Sequence, residues 1–278
     1  MAASLLLRNN AMTCTLRVLG CSGGIGADLR TTSFLLNKDI LIDAGTGVGD
    51  LTLDELRNIN HVFVTHSHLD HICCLPFMSD AVGASRLARA DYVPLKVYGI
   101  PETITAIKDH ILNNVIWPDF TKLPSVEKPF ISFHPIELGQ VIKMNGVSIT
   151  ALPVDHSIPA VAYALQSDHS TLVFSGDTGT SPQFIKALNT LPDLNHLIIE
   201  TSFNDSEEEL AKISGHLAPT LLIEELRALT HPELQIWISH LKPDGGHSIY
   251  TEITDAPFAK EILKHHIHHL QRGKVIAF

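Results

Sequence analysis

One seven-residue run constrains this chain more than any other: Thr65-His66-Ser67-His68-Leu69-Asp70-His71. It closes the apolar stretch 61–65, which reads as a short buried strand. The run therefore falls where a strand emerges from a sheet. Four metal-ligand side chains lie within six residues. In an extended segment His66 and His68 point the same way, as i and i+2, while Asp70 and His71 diverge as the chain turns. One such loop can supply two ligands to each of two neighbouring metals. The bland alternative is a solvated histidine-rich loop. Four ligand types gathered behind an apolar strand weigh against it. So does the histidine count, 17 in 278 residues, since neutral imidazole is the commonest metal ligand.

Other expected strands end on similar residues. His156 follows 147–153, Asp177 follows 171–175, and His240 closes the apolar run 235–239. Sites in sheet proteins form where strands emerge. Singly, His156 and His240 read as structural histidines, and Asp177 as a cap for a helix opening near Pro182. Together with the first loop they read as one ligand set.

Periodicity predicts strands at 13–19, 32–36, 39–43, 61–65, 95–98, 131–136, 140–144, 147–153, 160–166, 171–175, 196–200 and 235–239. It predicts helices at 78–89, 101–114, 182–191, 206–213, 218–229 and 255–272, with Ser206 and Glu209 as a capping box. No repeat or linker divides the chain. One domain is expected over 12–278, with 1–11 as a flexible extension. The class is α/β (α+β), with helices outside packed sheets. A 45 % hydrophobic content excludes a disordered chain. With 20 basic and 30 acidic residues the net charge is −10, which argues against duplex DNA as partner. Cys14, Cys21, Cys73 and Cys74 form no Cys-x-x-Cys pair, and a chain this long needs no disulfide, so reduced thiols in a cytoplasm are expected. No apolar run reaches about 18 residues, so no membrane span is expected.

Gly20-Cys21-Ser22-Gly23-Gly24 matches the Gly-x-Ser-x-Gly nucleophile elbow in form. An elbow needs a helix directly after the Ser, and 29–36 reads as loop and strand. His265, His266, His268 and His269 would line a solvated face of the last expected helix. His110, Trp117 and Phe120 read as structural.

His-x-His-x-Asp-His at 66–71, then His156, the Gly176-Asp177 pair and His240, together resemble the metallo-β-lactamase superfamily. Asp43, in Leu41-Ile42-Asp43-Ala44-Gly45-Thr46-Gly47, resembles the Asp that braces its site. The resemblance implies an αββα four-layer sandwich. It implies His66, His68 and His156 on one metal, Asp70, His71 and His240 on a second, and Asp177 bridging. Two divalent ions are implied, zinc foremost, with manganese or iron as alternatives.

More narrowly, 66–72 resembles class II 3′,5′-cyclic-nucleotide phosphodiesterases. So do 110–120, Glu200-Thr201-Ser202-Phe203, Gly215-His216-Leu217-Ala218-Pro219 and Ser239-His240-Leu241-Lys242-Pro243. The likeness covers about 13–278. Cys73-Cys74 and Phe77-Met78-Ser79-Asp80 depart from that family's usual residues. The implied reaction is hydrolysis of cAMP or cGMP to 5′-nucleotides by attack of a metal-bound hydroxide on phosphorus. Asp70 would be ligand and proton acceptor. His216 would contact phosphate or act as general acid, and Ser22, in a tight glycine turn near the site, would contact substrate. The implied partner is a small phosphodiester, and the family favours a homodimer. Two rivals remain: a tRNA 3′-processing nuclease, for which no Lys/Arg-rich insertion is present, and a metal-dependent binding protein without turnover.

Overall fold

A computed structural model of the chain describes residues 13–256 and 266–278. The expected 1–11 extension and the 257–265 part of the last expected helix lie outside the described residues. Fourteen strands are described: β1 (Thr15–Gly20), β2 (Ser33–Leu36), β3 (Ile40–Ile42), β4 (His61–Phe63), β5 (Leu95–Gly99), β6 (Ile131–Pro135), β7 (Val141–Met144), β8 (Val147–Pro153), β9 (Val161–Gln166), β10 (Thr171–Phe174), β11 (Leu194–Glu200), β12 (Gln235–Ser239), β13 (Ile267–His269) and β14 (Val275–Ala277). The described α-helices are α1 (Leu53–Asn58), α2 (Leu69–Ile72), α3 (Cys74–Leu87), α4 (Pro101–His110), α5 (Pro182–Thr190), α6 (Glu208–Ser214), α7 (Pro219–Arg227) and α8 (Gly246–Asp255). No described helix is long and apolar enough to cross a membrane.

Among the described residues the strands form two sheets, ordered β14-β1-β2-β3-β4-β5-β6 and β13-β12-β11-β10-β9-β8-β7. Each opens antiparallel and continues parallel, from β3 to β6 and from β10 to β13. Parallel neighbours end at the same edge, so several chain segments emerge together there.

Apolar side chains alternate between two cores, which makes the layers. Ile40 and Ile42 enter the core between the sheets, whereas Leu41 faces a second core with Leu56, Met78 and Ile107 from α1, α3 and α4. In the other sheet Ile198 faces inward, while Leu197 and Ile199 join a third core with Leu188, Leu222 and Ile253 from α5, α7 and α8. Strands buried on both faces read as continuous apolar runs. The result is the expected αββα four-layer sandwich. Aromatic contacts tie its middle: Phe34 meets Phe174 edge-on at 4.8 Å between ring centres, and Phe63 meets Tyr163 at 5.5 Å.

Three local expectations are corrected. In place of a helix reaching Arg272, the chain forms β13, parallel to β12 with Ile267 opposite Ile236. The free edge of β12 offers backbone partners and Leu270 is buried, so tertiary pairing overrides the helical pattern. Ser206 lies in a 3₁₀ turn, and α6 starts at Glu208 with no side-chain cap. A true capping box sits at Thr52 and Glu55, opening α1. The cap of α5 is Ser181, which accepts from the Phe184 amide, so Asp177 is free of that duty.

Candidate metal centre

Strand ends deliver the site. Asp43 follows β3, Thr65 to His71 follow β4, His156 follows β8, Asp177 follows β10, Glu200 to Ser202 close β11, and His240 follows β12. His68 stands at the N-terminal boundary of α2 without a side-chain cap bond, and Asp70 and His71 fall in its first turn.

Two groups of ligand atoms converge. In the first, His66 Nε2 lies 3.1 Å from His68 Nδ1, and His156 Nε2 lies 3.2 Å from that same atom. Asp177 Oδ2 stands 3.6 Å from His66 Nε2. In the second, His240 Nε2 lies 3.1 Å from Asp70 Oδ2 and 3.4 Å from His71 Nε2. Asp177 Oδ1 is 3.3 Å from both His71 Nε2 and His240 Nε2. All seven expected side chains are thus brought together, and Asp177 turns one oxygen to each group.

The spacing suits a divalent cation. Ligands about 2.0–2.1 Å from a tetrahedral zinc lie roughly 3.3 Å apart. Asp177 Oδ1 is buried with no hydrogen-bond partner. An orphaned carboxylate oxygen facing two imidazoles is costly unless a cation or proton completes it.

Outer partners orient four of the five imidazoles. Asp43, fully buried, accepts from the Thr65 amide and hydroxyl, both at 2.8 Å, and from His71 Nδ1 at 2.7 Å. That leaves His71 Nε2 free for a metal. His66 Nδ1 meets the Thr65 hydroxyl at 3.0 Å. His156 Nδ1 donates to the Gly215 carbonyl at 2.7 Å. Gly215 has φ +71°, and a Cβ there would lie 2.6 Å from the Ser157 amide, so only glycine presents this carbonyl. His240 Nδ1 meets the Ser202 hydroxyl at 2.9 Å. Such outer partners fix tautomers and orient ligands.

Electrostatics keep Asp70 and Asp177 ionised and His66 neutral, while the carboxylates around His71 hold a proton on it that a cation would displace. Burial pushes Asp70 up, but the His240 bond and the His71 and His240 charges outweigh it and hold Asp70 well below the usual carboxylate range. Burial opposes ionisation of Asp177 too, and the His240 and His71 charges override it. Burial drives His66 far below the ordinary histidine value. For His71 burial pulls down, while Asp177 and Asp43 pull it well above.

His216 sits beside both groups, its ring centre 5.0 Å from His156 and 5.5 Å from His240. Its Nδ1 lies 2.6 Å from Glu200 Oε1, and Glu200 Oε2 accepts the Ser202 hydroxyl at 3.0 Å. Burial lowers the His216 imidazole, but the Glu200 charge outweighs that and raises it above its ordinary value. Glu200, Ser202, Thr65 and Gly215 escaped the sequence reading as working residues. The signal for Glu200 was present: a charged residue closing an apolar strand.

Ser22 is not brought to the ligand groups. Its hydroxyl donates to the Leu241 carbonyl at 3.4 Å. Its neighbour Gly23 is the closer one, since a Cβ there would lie 2.5 Å from the His240 carbonyl oxygen. Phe120 is core, and Trp117 packs beside it, edge-on to Phe77. His110 is exposed at the end of α4. His268 and His269 stack on Trp237 and Tyr250 instead of lining a helix, and His265 lies outside the described residues.

Residues 38–238 match the family model described as a beta-lactamase superfamily domain. The chain belongs to the beta-lactamase superfamily. A relative from Yersinia pestis, named a probable 3′,5′-cyclic-nucleotide phosphodiesterase, is 26 % identical over 213 residues, 67 % of this chain and 58 % of the relative. The chain thus spans less than two thirds of that relative. A Methanococcus maripaludis relative named ribonuclease Z is 32 % identical over 111 residues, 39 % of this chain and 32 % of the relative. The crystal structure of unliganded yeast PDE1 superposes with a TM-score of 0.76 at 18 % identity, covering 96 % of this chain and 99 % of that one, and so shares the superfamily fold. Superfamily membership and the phosphodiesterase-named relatives support a metal-dependent hydrolase.

Proposed function

We propose that this chain is a phosphodiesterase that hydrolyses 3′,5′-cyclic nucleotides to 5′-nucleotides with two divalent ions, zinc foremost and manganese or iron as alternatives. The observation that carries the proposal is Asp177, which offers one oxygen to each of two complete ligand groups. His66, His68, His156 and Asp177 would hold one ion. Asp70, His71, His240 and Asp177 would hold the other. When bound, such ions polarise phosphoryl oxygens and render water acidic enough to act as a nucleophile near neutral pH.

The chain's own groups supply the proton transfers. Asp70, still partly open to solvent, would be both ligand and proton acceptor. His216 carries the proton that Glu200 helps hold, and its place between the two groups suits delivery to a leaving O3′ or a bond to phosphoryl oxygen. Asp43 and Thr65 keep the ligands oriented. The single domain expected over 12–278 would carry the whole site. The names of the Yersinia pestis and Schizosaccharomyces pombe relatives support the substrate class.

A ribonuclease Z type of activity is the second reading, favoured by the Methanococcus maripaludis relative. The net charge of −10 opposes a long polyanionic substrate. Turnover of the Zn²⁺- or Mn²⁺-loaded protein on 3′,5′-cAMP, bis-p-nitrophenyl phosphate and a precursor tRNA separates the readings. Release of 5′-AMP is expected. Cleavage of the tRNA without cAMP hydrolysis would reverse the order.

A further inference from the structure

A cavity of about 370 Å³ lies behind the glycine turn at 20–24, and none of the seven ligand side chains lines it. Ser22 does line it, so the residue absent from the metal centre belongs to this second place. Leu29, Leu241 and Leu270 give it apolar walls, and Arg30, Lys242 and Arg272 bring positive charge. The two guanidiniums share one carboxylate: Arg30 Nε is 3.2 Å from Asp50 Oδ1, and Arg272 is 2.6 Å from Asp50 Oδ2. Lys242 Nζ donates to the Gly23 carbonyl at 3.1 Å, lies 5.9 Å from the Phe203 ring centre on the side toward His216, and has no carboxylate partner among the described residues. Asp28 also lines the cavity. Arg30, Lys242 and Arg272 with Asp28 in the lining, and Asp50 behind the two guanidiniums, leave one positive charge in excess, within a chain of net charge −10.

Volumes of this order are typical of small-molecule sites, which combine apolar walls with a few polar groups that fix orientation. Apolar walls reward a ring or short chain, and the excess cation rewards a negative head held out of bulk water. We propose that this cavity binds a small organic anion, with an apolar ring-sized body against the leucines and one anionic head at Arg30, Lys242 and Arg272. Its wall is continuous with the metal centre. The Gly23 amide donates to the Leu241 carbonyl at 3.0 Å, and the His240 amide donates to the Cys21 carbonyl at 2.7 Å.

The test uses the whole metal-free protein and the probe 8-anilinonaphthalene-1-sulfonate, followed by fluorescence. Saturable binding is expected, displaced by phenyl phosphate and not by neutral phenol. Arg272→Ala removes a cation, and Leu29→Trp fills the cavity from a partly exposed position. Each should weaken the probe at least tenfold while near-ultraviolet circular dichroism stays native. Affinity within twofold of native in both variants overturns the proposal. So does loss of binding in Phe77→Ser alone, which would place the probe on the exposed Phe77–Trp117 surface, and so does displacement by phenol as strong as by phenyl phosphate.

Discussion

Replacing Asp43 by Asn changes one charge and almost no shape, yet it should disable one half of the proposed metal centre. Asp43 has φ +57°, a conformation Asn tolerates well. Its carboxylate accepts three hydrogen bonds, two from Thr65 and one from His71 Nδ1. An Asn keeps the Thr65 amide bond through its carbonyl oxygen. The Thr65 hydroxyl can turn to accept from the new amide nitrogen. His71 has no such freedom. In its native tautomer, Nδ1–H would face an N–H donor at a 2.7 Å contact. Leaving a buried donor unpaired costs about 1–3 kcal/mol. The alternative moves the proton to Nε2, the atom facing Asp177 and His240, and so blocks it as a ligand. By either route metal affinity should fall roughly 10- to 100-fold, the usual effect of removing such an outer partner. Zinc titration against a chelating dye of known affinity measures this. One equivalent should weaken and the other, at His66, His68 and His156, should not. Native affinity for both equivalents in a folded Asp43→Asn protein would refute the reasoning.

Four further outcomes are expected. Asp70→Ala should lower cyclic-nucleotide turnover by about a thousandfold or more with unchanged circular dichroism, and near-native turnover would remove Asp70 from the proton transfer. Gly23→Ala puts a Cβ 2.5 Å from the His240 carbonyl oxygen and 2.8 Å from its Nδ1, so it should cost about 1–3 kcal/mol and weaken the Asp70–His71–His240 group; denaturant melts and zinc titration read both effects. Burial, then the Lys96, His134 and Arg86 charges, hold His61 down at about 4. Between that value and about 6.5 the unfolded chain takes a proton the folded one refuses, so stability falls as pH falls through this window. His61→Leu should therefore lose about 1 kcal/mol less than the native protein between pH 7 and 5 in urea melts, allowing for partial exposure; parallel losses would count against it. Tyr163→Phe removes a buried hydroxyl that donates to the Val64 carbonyl at 2.9 Å, and should cost about 1–2 kcal/mol without changing metal content. A change in zinc stoichiometry would show that this core contact also shapes the site.

Legibility followed the range of the interactions. The strand at 61–65 and the ligand run behind it were readable because burial and residue type are local signals. Even there the strand stops at Phe63, since Thr65 turns its amide to Asp43. The helix expected to reach Arg272 failed for the opposite reason. Its last residues gain a backbone ladder from β12 and a stacking surface on Trp237, partners some thirty residues away. The Ser206–Glu209 pair had the right spacing for a cap, but Asp205 instead accepts from the Thr220 amide and hydroxyl across the turn. The functional cap at Thr52 and Glu55 was equally visible and went unread.

The sequence by itself determined the chemistry on offer: seven side chains able to ligate a metal, Asp43 close before them, the apolar strands that precede most of them, and a His at 216. Those are properties of residue type and order. Only the tertiary structure decided how they act. It set Glu200 against His216, gave Asp177 one oxygen for each ligand group, and made the Gly215 carbonyl the anchor of His156. It also moved Ser22 from the metal centre to a separate cavity. Each of these rests on polar atoms separated in the chain meeting at 2.6 to 3.6 Å. Periodicity records which face of a strand is buried; it carries no record of which distant atom waits on the other side.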